Sequence, residues 1–243
     1  MPAPATEEPS RREVWRMFDQ IAPRYDLLNR LLSGWMDVRW RKRMARHLPA
    51  GENLALLDVA TGTADQIFSL LGDGQGQVRK ATGVDMAEKM LAIGRTKAAQ
   101  RGLDRVVQLR TGDATAIPEA DAAYDVATIS FGIRNVIDVS AALGEMRRVL
   151  RPGGRALILE FSLPSGRFFR PLYLFYLRHV LPVLGGLISG DAKAYRYLNV
   201  TIETFPYGEA FCELMRKAGF VNAKANELSL GIATIYQGDR PAT

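Results

Sequence analysis

Three aspartates in this chain close apolar runs. Asp58 follows "LALL", Asp85 ends "KATGVD", and Asp113 ends "RVVQLRTGD". A fourth run, "YDVATISF", leads into Arg134 and Asn135. Carboxylates at such positions accept hydrogen bonds and attract cations, whereas a guanidinium stays protonated and favours an oxyanion. The first loop, "DVATGTAD", has Gly62 where a backbone can approach a ligand and Thr63 beside it as a hydroxyl or backbone donor. It lacks the G-x-G-x-x-G spacing of a dinucleotide site, and Asp58 and Asp65 would repel a pyrophosphate.

An acid-lined crevice suits a ligand with cationic groups and free ribose hydroxyls. S-adenosylmethionine has an ammonium, a sulfonium and a ribose diol. On this reading Asp85 accepts from both ribose hydroxyls and Asp113 from the adenine amino group. Gly62 and Thr63 meet the methionine part, and Asp58 and Met86 belong to the same loops. Each aspartate alone could instead cap a helix.

The elements that would carry these residues alternate. Buried strands are expected at "LALLDVA", "KATGVD", "RVVQLRTGD", "YDVATISF" and "RALILEFS". Helices are expected at "ADQIFSLLG", "AEKMLAIGRTKAAQRG" and "VSAALGEMRRVLRPGG", the last stopped by Pro-Gly-Gly. This is the pattern of βαβ units around a parallel sheet, whose ligands bind at the carboxyl ends of the strands. "GFVNAKANELSLGIATIYQG" gives two more strands. Residues 11–50 read as two or three helices forming a cap, with a restart at "PRYDLLNRLLSG". Residues 164–205 insert apolar helical material into a domain spanning 51–243, and 1–10 read as a flexible tail.

The chain has 243 residues, 47% of them hydrophobic, which supports one large domain. The single cysteine, Cys212, excludes a disulfide framework; it lies in a stretch where Phe211, Leu214, Met215 and Ala218 fall at helical spacing and reads as a small buried hydrophobe. No signal peptide is legible, so a reducing cytosol is expected. His47 and His179, the two histidines, make no metal site. Ten basic and four acidic residues lie between Arg11 and Arg46, so that segment carries the whole net charge of +6. It suits an anionic membrane surface or a solvated face. Its three tryptophans read as packing, so nucleic acid is not expected as a partner.

The stretches "FDQIAPRYDLLNRLLS", "DVATGTAD", "TISFGIRNVID", "RRVLRPGGRALILEFS" and "GDAKAYRYL" resemble the ubiquinone/menaquinone biosynthesis C-methyltransferase family over nearly the whole chain. The resemblance implies a class I S-adenosylmethionine-dependent methyltransferase fold, Rossmann-like. Its seven-stranded, mostly parallel sheet would carry an N-terminal helical cap and a helical insertion before the last strands. It implies S-adenosyl-L-methionine as cofactor, no metal, and cofactor contacts at Thr63, Asp85, Asp113, Ala114 and Ser130. The implied reaction is C-methylation of a polyprenylated quinol, demethylmenaquinol to menaquinol, with the ubiquinone-pathway benzoquinol or another apolar small molecule as alternatives. The chain departs from the family at Leu28 for methionine, Asp37 for histidine and Thr61 for glycine.

A ring carbon attacks a methyl group faster when its ring hydroxyl is ionised. Arg134 would stabilise that phenolate and Asn135 would donate to or orient the ring. Arg134 could instead pair with Asp138 or another loop acid. The proton lost afterwards could go to Asp37, Glu160, Tyr25, Tyr195 or water. The insertion stretch "FFRPLYLFYLRHVLPVLGGLIS" would wall a prenyl tail or lie at a membrane interface, or simply pack on the sheet. It does not read as a spanning helix. A cytoplasmic protein with peripheral contact at the inner face of the cell membrane is expected, its oligomeric state open.

Overall fold

The structure, a computed structural model, describes residues 13–73, 76–189 and 192–243, without the side chains of 73, 184, 187–189 and 192–196. The expected tail at 1–10 and the Tyr195 side chain lie outside the described residues.

Seven strands form one sheet in the order β3-β2-β1-β4-β5-β7-β6. They are β1 (Leu54–Val59), β2 (Val78–Asp85), β3 (Val107–Thr111), β4 (Tyr124–Ser130), β5 (Leu150–Phe161), β6 (Val221–Leu228) and β7 (Ala233–Asp239). β1 to β5 pair in parallel, and β7 runs antiparallel between β5 and β6. β1 and β4 are buried almost throughout because helices cover both faces. β6 is an edge strand, and its polar sequence and exposure suit that place.

Alternate residues along the central strands feed two cores. Leu57, Val59, Ile129 and Ile158 face α5 (Val139–Val149) and α9 (Glu209–Lys217) through Leu143, Met146, Phe211 and Met215. Leu56, Val126, Leu157 and Leu159 share a core with Trp40 and Met44 of α2 (Met36–Met44), and with Ile67 and Leu70 of α3 (Asp65–Asp73). Cys212 is fully buried in the first core, and burial pushes its thiol up.

Two expectations about element ends are corrected. The cap helix α1 (Val14–Ser33) does not restart at Pro23 but runs through it. Pro23 lies on the exposed face, where water can reach the Asp19 carbonyl that loses its partner. The Pro-Gly-Gly segment at 152–154 is not a stop outside the sheet. β5 begins at Leu150, and the register against β4 jumps from Tyr124↔Leu150 to Val126↔Arg155, so these residues bulge out of the strand.

The insertion contains α6 (Phe169–Phe175), a π-helical turn at Tyr176–Val180, α7 (Leu181–Ser189) and α8 (Ala192–Thr204). Leu28 of α1 packs with Leu163, Tyr173, Leu177, Leu181 and Ile202. On its other flank, Ala22 meets Ala87 and Met90 at the start of α4 (Glu88–Gln100). The Asp19 carboxylate accepts from the Lys89 N–H at 2.8 Å, capping that helix with an acid at its positive end. Thus α1 roofs the carboxyl edge of the sheet between α4 and the insertion.

Candidate active site

Strand order reverses between β1 and β4, so the loops after them diverge and open a crevice. These loops are held in unusual geometry. Ala60, Ala64 and Phe131 adopt left-handed φ values of 49°, 65° and 59°. Each costs on the order of 1–3 kcal/mol, recovered from the surrounding hydrogen bonds and packing. Thr61 N–H donates to the Val84 carbonyl at 3.1 Å, Ala64 N–H to that of Thr61 at 2.9 Å, and Phe131 N–H to that of Leu159 at 2.7 Å. Gly62 also takes a left-handed φ of 55°. Gly132 permits the loops to approach, since a Cβ there would lie 2.7 Å from Ala60 Cβ.

Two cavities flank this point. The smaller, about 120 Å³, is lined by Gly62, Asp85, Met86, Asp113, Ala114, Ser130 and Asn135, and roofed by Trp15 and Phe18 of α1. Asp85 holds the loops together: its Oδ2 accepts from Gly62 N–H and its Oδ1 from Ala87 N–H, each at 2.8 Å. Burial pushes its pKa up, against those two bonds. Asp113 Oδ1 accepts from Thr115 N–H at 2.8 Å. Met86 and Ile137, both exposed, provide apolar walls. Acids, apolar walls and a single close-approach glycine fit a nucleoside with a free diol. They do not fit a phosphate.

The larger cavity, about 580 Å³, lies under α1 and the insertion. Its walls are mainly apolar, from Met17, Leu28, Leu32, Tyr173, Leu177 and Leu198. Its polar groups include Arg134, Asn135, Tyr25 and Asp37. Phe18, Tyr25, Phe131 and Asn135 line both cavities, so the two meet there.

Arg134 sits on a 3-10 turn at Ile133–Asn135, with 4% of its surface exposed. Its Nη1 donates to Glu160 Oε1 at 2.5 Å and to the Phe131 carbonyl at 2.7 Å, and its guanidinium carbon lies 5.2 Å from the centroid of the Phe161 ring. Nε has no hydrogen-bond partner among the described residues. Neither has the buried Asn135 Oδ1. Burial raises the Tyr25 phenol, offset by the charges of Arg41 and Arg134 and a hydrogen bond to Asn29.

A family model described as the ubiE/COQ5 methyltransferase family matches residues 6–240. The chain belongs to that family. It is 48% identical to the demethylmenaquinone methyltransferase of Thermus thermophilus, over 93% of this chain and 100% of that one. It is 46% identical to the ubiquinone/menaquinone biosynthesis C-methyltransferase UbiE of Geobacter sulfurreducens, over 92% of this chain and 87% of that one. Among solved structures, it resembles a SAM-dependent methyltransferase of Thermotoga maritima described as a possible histamine N-methyltransferase. That match has a TM-score of 0.63 and 21% identity, over 93% and 99% of the two chains. The [4+2]-cyclase SpnF matches with the same TM-score at 19% identity, over 97% and 98%. The fold is therefore that of class I methyltransferases, and the cofactor of this methyltransferase is S-adenosyl-L-methionine.

Most of the residues read from the sequence meet at these cavities, but Glu160, Asp37, Thr63 and Asp58 stand differently. Glu160 lines neither cavity. Its oxygens are engaged by Arg134 and by the N–H groups of Arg134 and Phe161, so it orients Arg134 and is not a free proton acceptor. Asp37 faces the large cavity but is ion-paired with Arg30 and accepts from Ser33 Oγ at 2.9 Å. This is a structural clasp and not an open base. Thr63 lies outside the smaller cavity. Its hydroxyl donates to Asp26 Oδ1 at 2.7 Å and accepts from Lys97 Nζ at 3.0 Å.

Those contacts belong to a network that the sequence reading missed. Lys97 pairs with Asp26 at 2.5 Å and with Asp65 at 2.8 Å, and Asp65 also meets Arg30. It ties the cap helix to the first loop.

Asp58 is buried beneath the first loop, where Thr61 Oγ1 donates to it at 2.7 Å and Thr128 Oγ1 at 2.5 Å. Burial pushes its pKa up to about 6, against the two hydroxyls. The folded state therefore holds this proton more tightly than the unfolded chain, and Asp58's contribution to stability is lost as pH rises from about 4 to above 6. An Asp58→Asn variant does not titrate. Its stability relative to the parent, from urea unfolding, is expected to improve by roughly 2–3 kcal/mol between pH 4 and pH 7.5. A pH-independent difference would remove Asp58 as a buried titrating group.

Proposed function

We propose that this methyltransferase C-methylates the ring of a polyprenylated quinol, with demethylmenaquinol as its substrate. The observation that carries this reading is the lining of the larger cavity: it is mainly apolar, with Arg134 and Asn135 among its polar groups, and Asn135 also lines the adjoining smaller cavity. When bound, S-adenosylmethionine supplies an electrophilic methyl group and leaves as a neutral thioether. Asp85 and Asp113 bind its adenosine, and the backbone at Gly62 and Thr63 faces its methionine part, with Ala114, Met86 and Ser130 completing the walls. Arg134 stabilises the ionised ring hydroxyl, which makes the neighbouring ring carbon electron-rich. Asn135 Oδ1 accepts from a second ring hydroxyl. Tyr25, a neutral phenol at the meeting point of the two cavities, relays the ring proton by passing its own hydroxyl proton on to water as the final acceptor. Prior positioning of the two reactants supplies much of the rate. The names of the Thermus thermophilus, Deinococcus radiodurans and Bacteroides fragilis relatives favour the menaquinone substrate over the ubiquinone one.

Incubation with methyl-labelled donor and reduced demethylmenaquinone tests this directly. The label is expected on the quinone ring carbon. Label appearing only on an oxygen, or only with tail-less acceptors, would defeat the proposal.

The tail must reach the chamber from somewhere. No described helix is long and apolar enough to cross a membrane. Beside the chamber, Phe168, Leu172 and Phe175 are exposed to 95%, 63% and 57%, and Leu172 also lines it. We read this rim as resting on the lipid surface from which the tail enters, helped by the basic cap. A Phe168→Asp/Phe175→Asp variant, whose two positions line neither cavity, is expected to lose most of its co-sedimentation with anionic vesicles. It should keep its rate on a short-tailed quinol, measured in detergent-free buffer. Undiminished sedimentation would place the contact elsewhere.

A further inference from the structure

Arg41 is the odd charge in this site. It lies on α2 with 8% of its surface exposed. Among the described residues it makes no ion pair, and its Nε is buried without a hydrogen-bond partner. Its guanidinium carbon stands 5.2 Å from the centroid of the Phe131 ring. The charges of Asp65 and Asp58 act on this guanidinium across the cleft, but no described carboxylate pairs with it directly. A buried guanidinium with unmatched donors is costly, so a native fold that keeps one has a use for it.

Its surroundings indicate that use. Arg41 lines a narrow polar cleft together with Asp58, Gly62, Thr63 and Asp65. The acids of this cleft are already engaged. Asp58 accepts from two threonine hydroxyls, and Asp65 is paired with Arg30 and Lys97. Both acids are engaged elsewhere and neither makes an ion pair with Arg41, so the open donors in the cleft are those of the guanidinium, and the partner they fit is an anion. The cleft includes Gly62 and Thr63, which the proposed function sets against the methionine part of the cofactor. S-adenosylmethionine carries one anionic group, its α-carboxylate.

We propose that Arg41 binds the α-carboxylate of the methionine part of S-adenosylmethionine. Its fork of donors matches a carboxylate, and Phe131 fixes the plane of the guanidinium. Arg41 also lines the larger cavity. There, however, Arg134 already faces the acceptor, whereas no other unpaired cation lines the polar cleft among the described residues. The inference rests on the donor and is independent of whether the acceptor is a quinol.

The test compares S-adenosylmethionine with its decarboxylated analogue by titration calorimetry on the full chain, without acceptor. For the parent, removing the carboxylate is expected to weaken binding roughly 10- to 100-fold, as for the loss of charge-assisted hydrogen bonds. For Arg41→Met the two ligands are expected to bind within about threefold of each other. Arg41→Lys, which keeps the charge without the fork, should retain part of the preference. A parent that binds both ligands equally would overturn the assignment. So would an Arg41→Met or Arg41→Lys protein that discriminates as fully as the parent. Unchanged donor binding in Arg41→Met, with a raised KM for the quinol in a separate turnover assay, would move Arg41 to the other cavity and equally overturn it. Melting curves of the unliganded variants establish that folded protein is being titrated, and the parent's own ratio decides even if the methionine variant misfolds.

Discussion

An Arg134→Met enzyme is expected to turn over roughly 100- to 1,000-fold more slowly, with its affinity for S-adenosylhomocysteine within about threefold of the parent. The reason is where the side chain sits. Nη1 is spent on Glu160 and the Phe131 carbonyl, which lock the guanidinium plane, and Nε is unpartnered beside the larger cavity. A donor held rigid before substrate arrives stabilises developing oxyanion charge without reorganisation. The substitution has a second consequence. It leaves Glu160, 1% exposed, as a buried carboxylate without its cation. Breaking such a pair from one side costs about 3–5 kcal/mol, so the single variant should also melt earlier. Arg134→Met/Glu160→Gln removes both charges and is expected to recover most of that stability while turnover stays low. Stability and turnover recovering together would mean that Arg134 only holds the fold. Single-turnover rates and melting curves of both variants separate the two roles.

Asp85→Ala is expected to weaken binding of S-adenosylhomocysteine by roughly 100-fold or more, beyond detection in a routine titration. Asp85 acts twice. Its carboxylate accepts the N–H groups of Gly62 and Ala87, which sets the first loop against the start of α4. It also faces the smaller cavity, where the ribose diol would donate to its remaining lone pairs. Hydrogen bonds to a charged acceptor contribute about 1.5–3 kcal/mol each, and both sets vanish together. Asp85→Asn keeps one acceptor oxygen and should fall between parent and alanine variant. Parent-like affinity in Asp85→Ala would take the ribose away from this residue.

How legible the molecule was in its sequence depended on the range of the interaction. The βαβ alternation was readable because buried parallel strands are continuous apolar runs and amphipathic helices repeat every three to four residues. Asp85, Asp113, Gly62 and Arg134 could be placed because each follows a strand directly, and the carboxyl ends of strands share one edge. Pro23 was misleading because its helical rule ignores exposure. The Pro-Gly-Gly bulge was hidden because strand continuity across it depends on pairing with β4. Glu160, Asp37 and the Thr63 hydroxyl were read at the correct edge but without the partners that engage them. Sequence shows that a carboxylate or hydroxyl is present, but not whether a distant Arg134, Arg30 or Lys97 has already engaged it. Arg41 was lost inside a basic run, "RWRKR". Helical spacing from Asp37, four residues before, to Met44, three after, was the signal that could have turned it inward.

The account rests on a guanidinium that favours an ionised ring hydroxyl beside the cofactor. A naphthol bound in the larger cavity, with S-adenosylhomocysteine present, reports on that directly through the ultraviolet absorbance of its ionised form. The account expects the bound naphthol of the parent to ionise about one pH unit or more below free naphthol, and to return toward the free value in Arg134→Met/Glu160→Gln. A naphthol that binds the parent and ionises at its free value would contradict it.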